Sequence, residues 1–335
     1  MTAWTAYREG ARRVARAPMV VVGAWVTSLA MALPLALVVR EMIAGHLGES
    51  LAAGAALRGV NWDWWQEFSA QATGIGTTFT PSILGFAAVL RNISDLADNR
   101  TLATVVAGAL TAWLVVWSFL SGGILDRFAR NRAVGAPGFF AAAGTHFFRF
   151  ARLGLAAWLA YYLLFAYVHG WLFKDLWQWA IRDLTVERTA VQLRLGLYLV
   201  FGIMLVFVNL VVDYARIRIV VEDRRSALGA IAAGLRFVLR RPGRTVWLYA
   251  INTLGFLLLV AIYAAVAPGA RHTGAAEWAA LFAGQAYVVG RVWVKLLFYA
   301  SQVAFFQGEL AHADYVASPA PEWPESPAAE AAGGA

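Results

Sequence analysis

The chain has 335 residues, of which 60% are hydrophobic and only 14% are charged, and its mean hydropathy is +0.60. Soluble domains carry about 45–50% apolar and roughly 25% charged residues, so this composition excludes an ordinary soluble domain. The formal charge is +8, and the absence of cysteine excludes disulfides, thiolate metal sites and cysteine nucleophiles.

Six apolar runs are long enough to cross a bilayer. A run of about 18 residues or more can span the ~30 Å hydrocarbon layer as a helix. The predicted spans are residues 18–39, 101–125, 153–173, 195–212, 245–267 and 278–306. We therefore predict an all-α fold, a polytopic membrane bundle of six transmembrane helices in a single domain, 1–315. The alternating strands that a membrane β-barrel needs are not seen.

The segments between the spans differ in character. A short helical segment with four arginines precedes Pro18, which starts the first span. Residues 40–100 form the one long extramembrane region, and its aromatic stretch 61–68 (NWDWWQEF) suits the water–lipid interface. Residues 316–335 are rich in Pro, Ala and Glu, which predicts a disordered tail.

The distribution of Lys and Arg predicts the orientation. The N-terminal segment has 4, the 126–152 loop 5 and the 213–244 loop 8, whereas the intervening loops have 4 spread over residues 40–100, 4 over 174–194 and 1 in 267–277. By the positive-inside rule the dense side is cytoplasmic. We expect a multi-pass protein of the bacterial inner membrane, with both termini in the cytoplasm and residues 40–100 outside. Because the arginines cluster beside the spans, they indicate anionic phospholipids as the partner and not nucleic acid.

The three basic segments resemble one another. When residues 10–18 are placed over 234–242, Gly, Arg, Val, Arg and Pro coincide without a gap, and 144–152 is a weaker counterpart. We predict three tandem units, 1–125, 126–212 and 213–315, each an elbow helix (an interfacial helix leading into a span) followed by two spans. The alternative is that arginine-rich segments before spans look alike because topology requires them.

Two phrases carry a family resemblance, SGGILDRFARNR at 121–132 and ASQVAFFQ at 300–307. Together with the elbow-and-span layout, they resemble uncharacterised six-span bacterial membrane proteins related to the membrane domain of glycerophosphodiester phosphodiesterases. The resemblance covers most of residues 100–310 and implies a membrane domain of that layout. No phosphodiesterase catalytic domain accompanies it, so that activity is not implied.

Two cations inside the last span are the sharpest chemical signal. Arg291 and Lys295 lie four residues apart, so they share one helical face, and a charge near mid-membrane is a functional-site hypothesis. Candidate neighbours for an anionic ligand or lipid phosphate include Asn252 and Gln302. The alternative is that this span is long and tilted and that both side chains extend to the headgroups.

Other charged residues have structural interpretations. The elbow arginines either bind anionic headgroups or only set the topology, and the candidates for leaflet contact are Arg236, Arg240, Arg241 and Arg244. Asp126 and Asp213, at span ends, are proton or cation sites or, in the favoured interpretation, ion-pair partners of Arg130 and Arg216.

The sequence contains no catalytic signature, no metal-ligand spacing and no cofactor motif. We therefore expect a non-enzymatic structural or accessory membrane component, with no cofactor and no assigned protein partner. The alternative is a transporter or lipid-handling protein that recognises an anionic group through Arg291 and Lys295.

Overall fold

The structure is a computed structural model that describes residues 1–48, 50–56, 61–80, 86–101, 104–267 and 274–310. These residues are mostly helical and contain no strand, which confirms the all-α prediction. The predicted disordered tail, 316–335, lies outside the described residues.

The helices, in chain order, are α1 Ala3–Ala15, α2 Pro18–Gly48, α3 Ala53–Ala56, α4 Trp62–Gln71, α5 Phe86–Ala97, α6 Thr104–Arg130, α7 Ala136–Leu163, α8 Trp177–Ile181, α9 Glu187–Val221, α10 Ala227–Arg240, α11 Pro242–Val266 and α12 Ala275–Glu309. Two π-helical segments, Leu164–Val168 and Trp171–Leu176, connect α7 to α8.

Among the described residues, six helices are long and apolar enough to cross a membrane, as predicted. They are Pro18–Gly48, Thr104–Arg130, Ala136–Ile181, Glu187–Val221, Pro242–Val266 and Ala275–Glu309. Each covers most or all of one predicted span, so the chain is a multi-pass membrane protein.

Two of the three predicted elbows are separate helices. Thr2 caps α1 and Ser226 caps α10, each by accepting a hydrogen bond from a backbone N–H in the first turn. Each elbow ends just before a proline, Pro18 or Pro242, that starts the next span. Proline suits a first helical turn but disfavours a helical conformation in the residue before it, so it separates the elbow from the span.

The middle elbow is not a separate helix, which corrects the prediction of three alike units. Residues 144–152 lie inside α7, which runs unbroken from Ala136 into the third span. The physical reason is the position of the proline. Pro137 lies in the first turn of α7, and no proline follows it before the span, so nothing interrupts the helix.

The chain divides into two compact units. Unit 1 contains Met1–Ala17, Val115–Ile251 and the described residues from Leu296 onward, and unit 2 contains Pro18–Leu114 and Asn252–Lys295. Residues 1–315, which the sequence predicts to be a single domain, thus contribute to two compact units.

Unit 1 is built on close helix contacts at glycines. Gly10 of α1 packs against Ser301 of α12, Gly122 of α6 packs against α7, and Gly234 of α10 packs against α9. Aromatic rings fill the space beside them: Phe237 lies 4.7 Å from Tyr214 and 5.1 Å from Phe306, measured between ring centroids. Both elbow helices are therefore packed onto the ends of even-numbered spans.

Unit 2 contains a small aromatic core in the region predicted to be extramembrane, 40–100. Trp64 donates a hydrogen bond to Nδ1 of His46 at 2.9 Å, and Trp64 stacks on Phe68 at 5.4 Å. Both aromatic side chains are buried, whereas Trp62 is exposed. The stretch 61–68 is therefore partly a local core, and only part of it is available as an interfacial anchor.

Candidate functional site

One polar group of unit 1 is a cluster on α6, α9 and α12, which we call the Asp213 cluster. Its members are Trp117, Asp213, Arg216, Tyr299 and Gln302. Asp213 and Arg216 are one turn apart on α9, which places them on one face. Gln302 donates from Nε2 to Asp213 Oδ2 at 3.1 Å, and Arg216 Nη1 lies 3.6 Å from Asp213 Oδ1.

Tyr299 extends the cluster to α6. Its hydroxyl accepts hydrogen bonds from Nε1 of Trp117 at 3.0 Å and from Nη1 of Arg216 at 3.4 Å. All members except Arg216 are buried. The buried carboxylate has both a cationic and a neutral partner, as a buried charge requires. The cluster thus joins three span helices through groups that are costly to separate.

Gln302, which the sequence analysis names as a candidate neighbour of Arg291 and Lys295, uses its amide Nε2 to bind the carboxylate of Asp213. Its Oε1 is buried and accepts no hydrogen bond from the described residues.

Arg291 and Lys295 lie in different surroundings. Arg291 is exposed, with its guanidinium carbon 5.8 Å from the ring centre of Tyr287. Lys295 is partly buried, with Nζ 5.7 Å from the ring centre of Trp113. Asn252 is fully buried.

The end of α6 carries a second buried ion pair. Nε of Arg130 donates to both carboxylate oxygens of Asp126 at 2.9 Å, and both side chains are less than 10% exposed. The sequence predicts the pairing of Asp126 with Arg130, because residues four apart are neighbours on a helix surface.

The N-terminal elbow is tied to two span ends by polar bonds that the sequence analysis missed. Arg13 donates from Nη1 to the carbonyl of Phe128 at 2.9 Å and to Oε1 of Gln307 at 2.8 Å. Gln307 in turn donates to the carbonyl of Ala129 at 2.9 Å. The last carbonyls of a helix lack partners within it, so these bonds satisfy the end of α6.

The pKa of Arg13 responds to its buried position. Burial lowers the pKa of Arg13, while the hydrogen bond and charge of Glu9 raise it. Arginine stays protonated in proteins, so this guanidinium remains a cationic donor.

The four elbow arginines proposed for leaflet contact fall into two pairs. Arg241 and Arg244 bind Glu309 at 2.9 and 3.1 Å, and Arg241 also lies over the ring of Phe237 at 4.9 Å. Arg236 and Arg240 are exposed. Two of the candidates thus hold α10 and α11 to α12, and two remain accessible.

Comparison of the chain with protein-family models, with curated proteins and with solved structures gives no match. The resemblance to phosphodiesterase membrane domains therefore stays a prediction.

Proposed function

We propose that the chain is a non-enzymatic structural or accessory component of a bacterial inner membrane. In this proposal both termini and the arginine-rich elbows face the cytoplasm, and residues 40–100 lie outside. The clustering of Lys and Arg beside alternate span ends supports this orientation.

The observation that carries the proposal is the way in which the elbows are held. A Cβ atom at Gly10 or Gly234 would lie under 3.0 Å from backbone of a neighbouring helix, so both elbows are in direct backbone contact with a span. Arg13 adds hydrogen bonds and Arg241 an ion pair at the same span ends. Packed interfaces of this kind favour one arrangement over a continuous range of arrangements.

Three carboxylates of unit 1 are used within the fold. The carboxylates Asp126, Asp213 and Glu309 each bind an arginine of the same unit. The exposed Arg236 and Arg240 remain for the membrane surface, where a basic residue near anionic lipid contributes about 1 kcal/mol. We infer a rigid basic platform at the cytoplasmic leaflet.

The alternative, recognition of an anionic group through Arg291 and Lys295, has less support. The exposed guanidinium of Arg291 fits a side chain that extends toward headgroups. The amide expected to help bind the anion, Gln302, is bound to Asp213.

A distance measurement between the two elbows tests the rigid platform. The chain has no cysteine, so Arg12→Cys on α1 and Ala232→Cys on α10 give a protein with only two spin labels. We expect a single narrow distance distribution that is the same in phosphatidylcholine and phosphatidylglycerol nanodiscs. A matched pair on α7, Thr145→Cys with Leu159→Cys, about 21 Å apart along one helix, is the internal ruler.

Two distance populations between the elbows, with a narrow distribution for the α7 pair, would contradict a static platform. That result favours a protein that alternates between conformations, as transporters do.

A further inference from the structure

An open groove lies between α7 and the start of α10, within unit 1. Its volume is about 520 Å³. The lining residues are Arg152, Ala156, Arg225, Ser226, Ala227 and Leu228. The hydroxyl oxygen of Ser226 accepts a hydrogen bond from the backbone N–H of Gly229 at 3.1 Å. The charged side chains in the lining are Arg152 and Arg225.

The acidic residues near the groove already have partners. Glu222 accepts from Arg218 at 2.8 Å and also pairs with Arg224, and Asp223 pairs with Arg149. These two carboxylates face more arginines than they can neutralise. The local charge is therefore positive before Arg152 and Arg225 are counted.

The two arginines of the groove keep most of their donors available. Arg152 and Arg225 are both exposed. Arg152 uses Nε in a weak bond of 3.3 Å to the carbonyl of Phe148, and Arg225 makes no hydrogen bond or ion pair among the described residues. Arginine presents a planar fork of donors that matches phosphate oxygens.

The apolar residues beside these arginines indicate where the rest of the ligand lies. Leu228 in the groove is 75% exposed, and Leu155 and Leu159, further along α7, are also exposed. Arg152 immediately precedes the third span as predicted from the sequence, 153–173, and that prediction places the groove where the chain enters the hydrocarbon layer. A charged opening that continues into an apolar helix face fits an amphiphile.

We propose that this groove binds one anionic phospholipid. Arg152 and Arg225 bind the headgroup phosphate, and an acyl chain lies along the exposed leucines of α7. The inference deepens the proposed function, because it rests on this end of the protein facing the cytoplasmic leaflet.

Native mass spectrometry of the full chain in neutral detergent tests the groove. The probe is phosphatidylglycerol, with phosphatidylcholine of the same acyl chains and inorganic phosphate as separate arms. We expect one preferential phosphatidylglycerol adduct on the wild type. From the typical contribution of a basic residue near anionic lipid, each single variant, Arg152→Gln or Arg225→Gln, weakens this adduct about fivefold, and the double variant about 30-fold.

The matched control removes the same charge elsewhere in unit 1. Arg8→Gln with Arg16→Gln, two exposed arginines of the N-terminal segment, leaves the adduct unchanged within about twofold. Equal weakening in both double variants would show diffuse surface charge and would overturn the proposal. Equal binding of phosphatidylcholine, or displacement of the lipid by millimolar phosphate, would also overturn it.

Because the lipid binds in detergent, this result does not depend on membrane orientation. If the lipid does not bind but the orientation is as proposed, only lipid binding in the groove is rejected. If the lipid binds but the orientation is opposite, only the proposed orientation is rejected.

Discussion

The glycines Gly10 and Gly234 leave no room for a methyl group. A Cβ at Gly10 would lie 2.6 Å from Cα and N of Ser301, and one at Gly234 would lie 2.9 Å from the carbonyl oxygen of Val211. The glycine at the corresponding place in the middle segment, Gly144, has no such neighbour within 4 Å. Substituting alanine at each of the three positions therefore distinguishes two contributions to the free energy of unfolding: the close contact between helices and the helix propensity of the residue.

The expected magnitudes have opposite signs. Alanine favours a helix interior over glycine by about 1 kcal/mol, so Gly144→Ala raises the free energy of unfolding by up to that amount. Overpacking costs about 1–3 kcal/mol, and backbone atoms cannot turn aside as a flexible side chain can. For a contact with backbone we take the upper part of that range, about 2–3 kcal/mol, and subtract the propensity gain of about 1 kcal/mol. Gly10→Ala and Gly234→Ala should therefore lower the free energy of unfolding by about 1 to 2 kcal/mol.

The assay is reversible unfolding by sodium dodecyl sulfate in mixed micelles, followed by tryptophan fluorescence and far-ultraviolet circular dichroism. Gly144→Ala is the matched control, since it makes the same chemical change on an exposed helix surface. The reasoning is refuted if all three variants have equal stability, because the elbows would then not be seated on the spans.

Three further predictions use the same unfolding assay. Asp213→Ala leaves the guanidinium of Arg216 without its carboxylate and lowers the free energy of unfolding by about 3–5 kcal/mol. Gln302→Ala removes one hydrogen bond to the same carboxylate and lowers it by about 1.5–3 kcal/mol. Equal and small losses would show that the cluster is not coupled. Glu309→Gln removes ion pairs with Arg241, Arg244 and the N-terminal ammonium of Met1 at a partly exposed site, and it costs about 1 kcal/mol, with a smaller loss at high salt. A salt-independent loss would exclude an ionic cause. Arg291→Gln, at an exposed position, changes stability by less than about 0.5 kcal/mol, and a larger loss would indicate a buried role.

The spans could be predicted because hydrophobic length is a local property of the sequence. Hydropathy does not predict how far each helix continues beyond the hydrocarbon layer. The fourth span was predicted as 195–212, whereas its helix is Glu187–Val221. Charged residues at both ends leave the hydrocarbon layer but continue the helix, since backbone hydrogen bonding does not stop at the membrane surface.

The local ion pairs could be predicted from spacing, and the long-range bonds could not. Asp126 and Arg130 share a helix face by the helical repeat alone. The bond from Gln302 to Asp213 joins residues 89 apart, and the bond from Arg13 to Gln307 joins residues 294 apart. Such pairs depend on which helices pack together, and a single sequence carries no direct signal of that packing.

The elbow prediction illustrates the same limit. The shared Gly, Arg and Pro pattern identified α1 and α10, because a proline directly before a span marks a helix boundary. The middle segment has similar arginines but its proline lies at the start of α7, so similarity of charge did not produce a similar break. Proline position was the more informative signal.

The orientation of the basic elbows is the central claim, and labelling of single cysteines tests it most directly. The variants are Ser69→Cys and Thr185→Cys on the side predicted to be outside, and Ala133→Cys and Gly243→Cys on the basic side; all four positions are exposed. We predict that a membrane-impermeant maleimide labels the first two in intact cells and labels the other two only after permeabilisation. Labelling of Gly243→Cys in intact cells, with Ser69→Cys protected, would contradict the cytoplasmic platform.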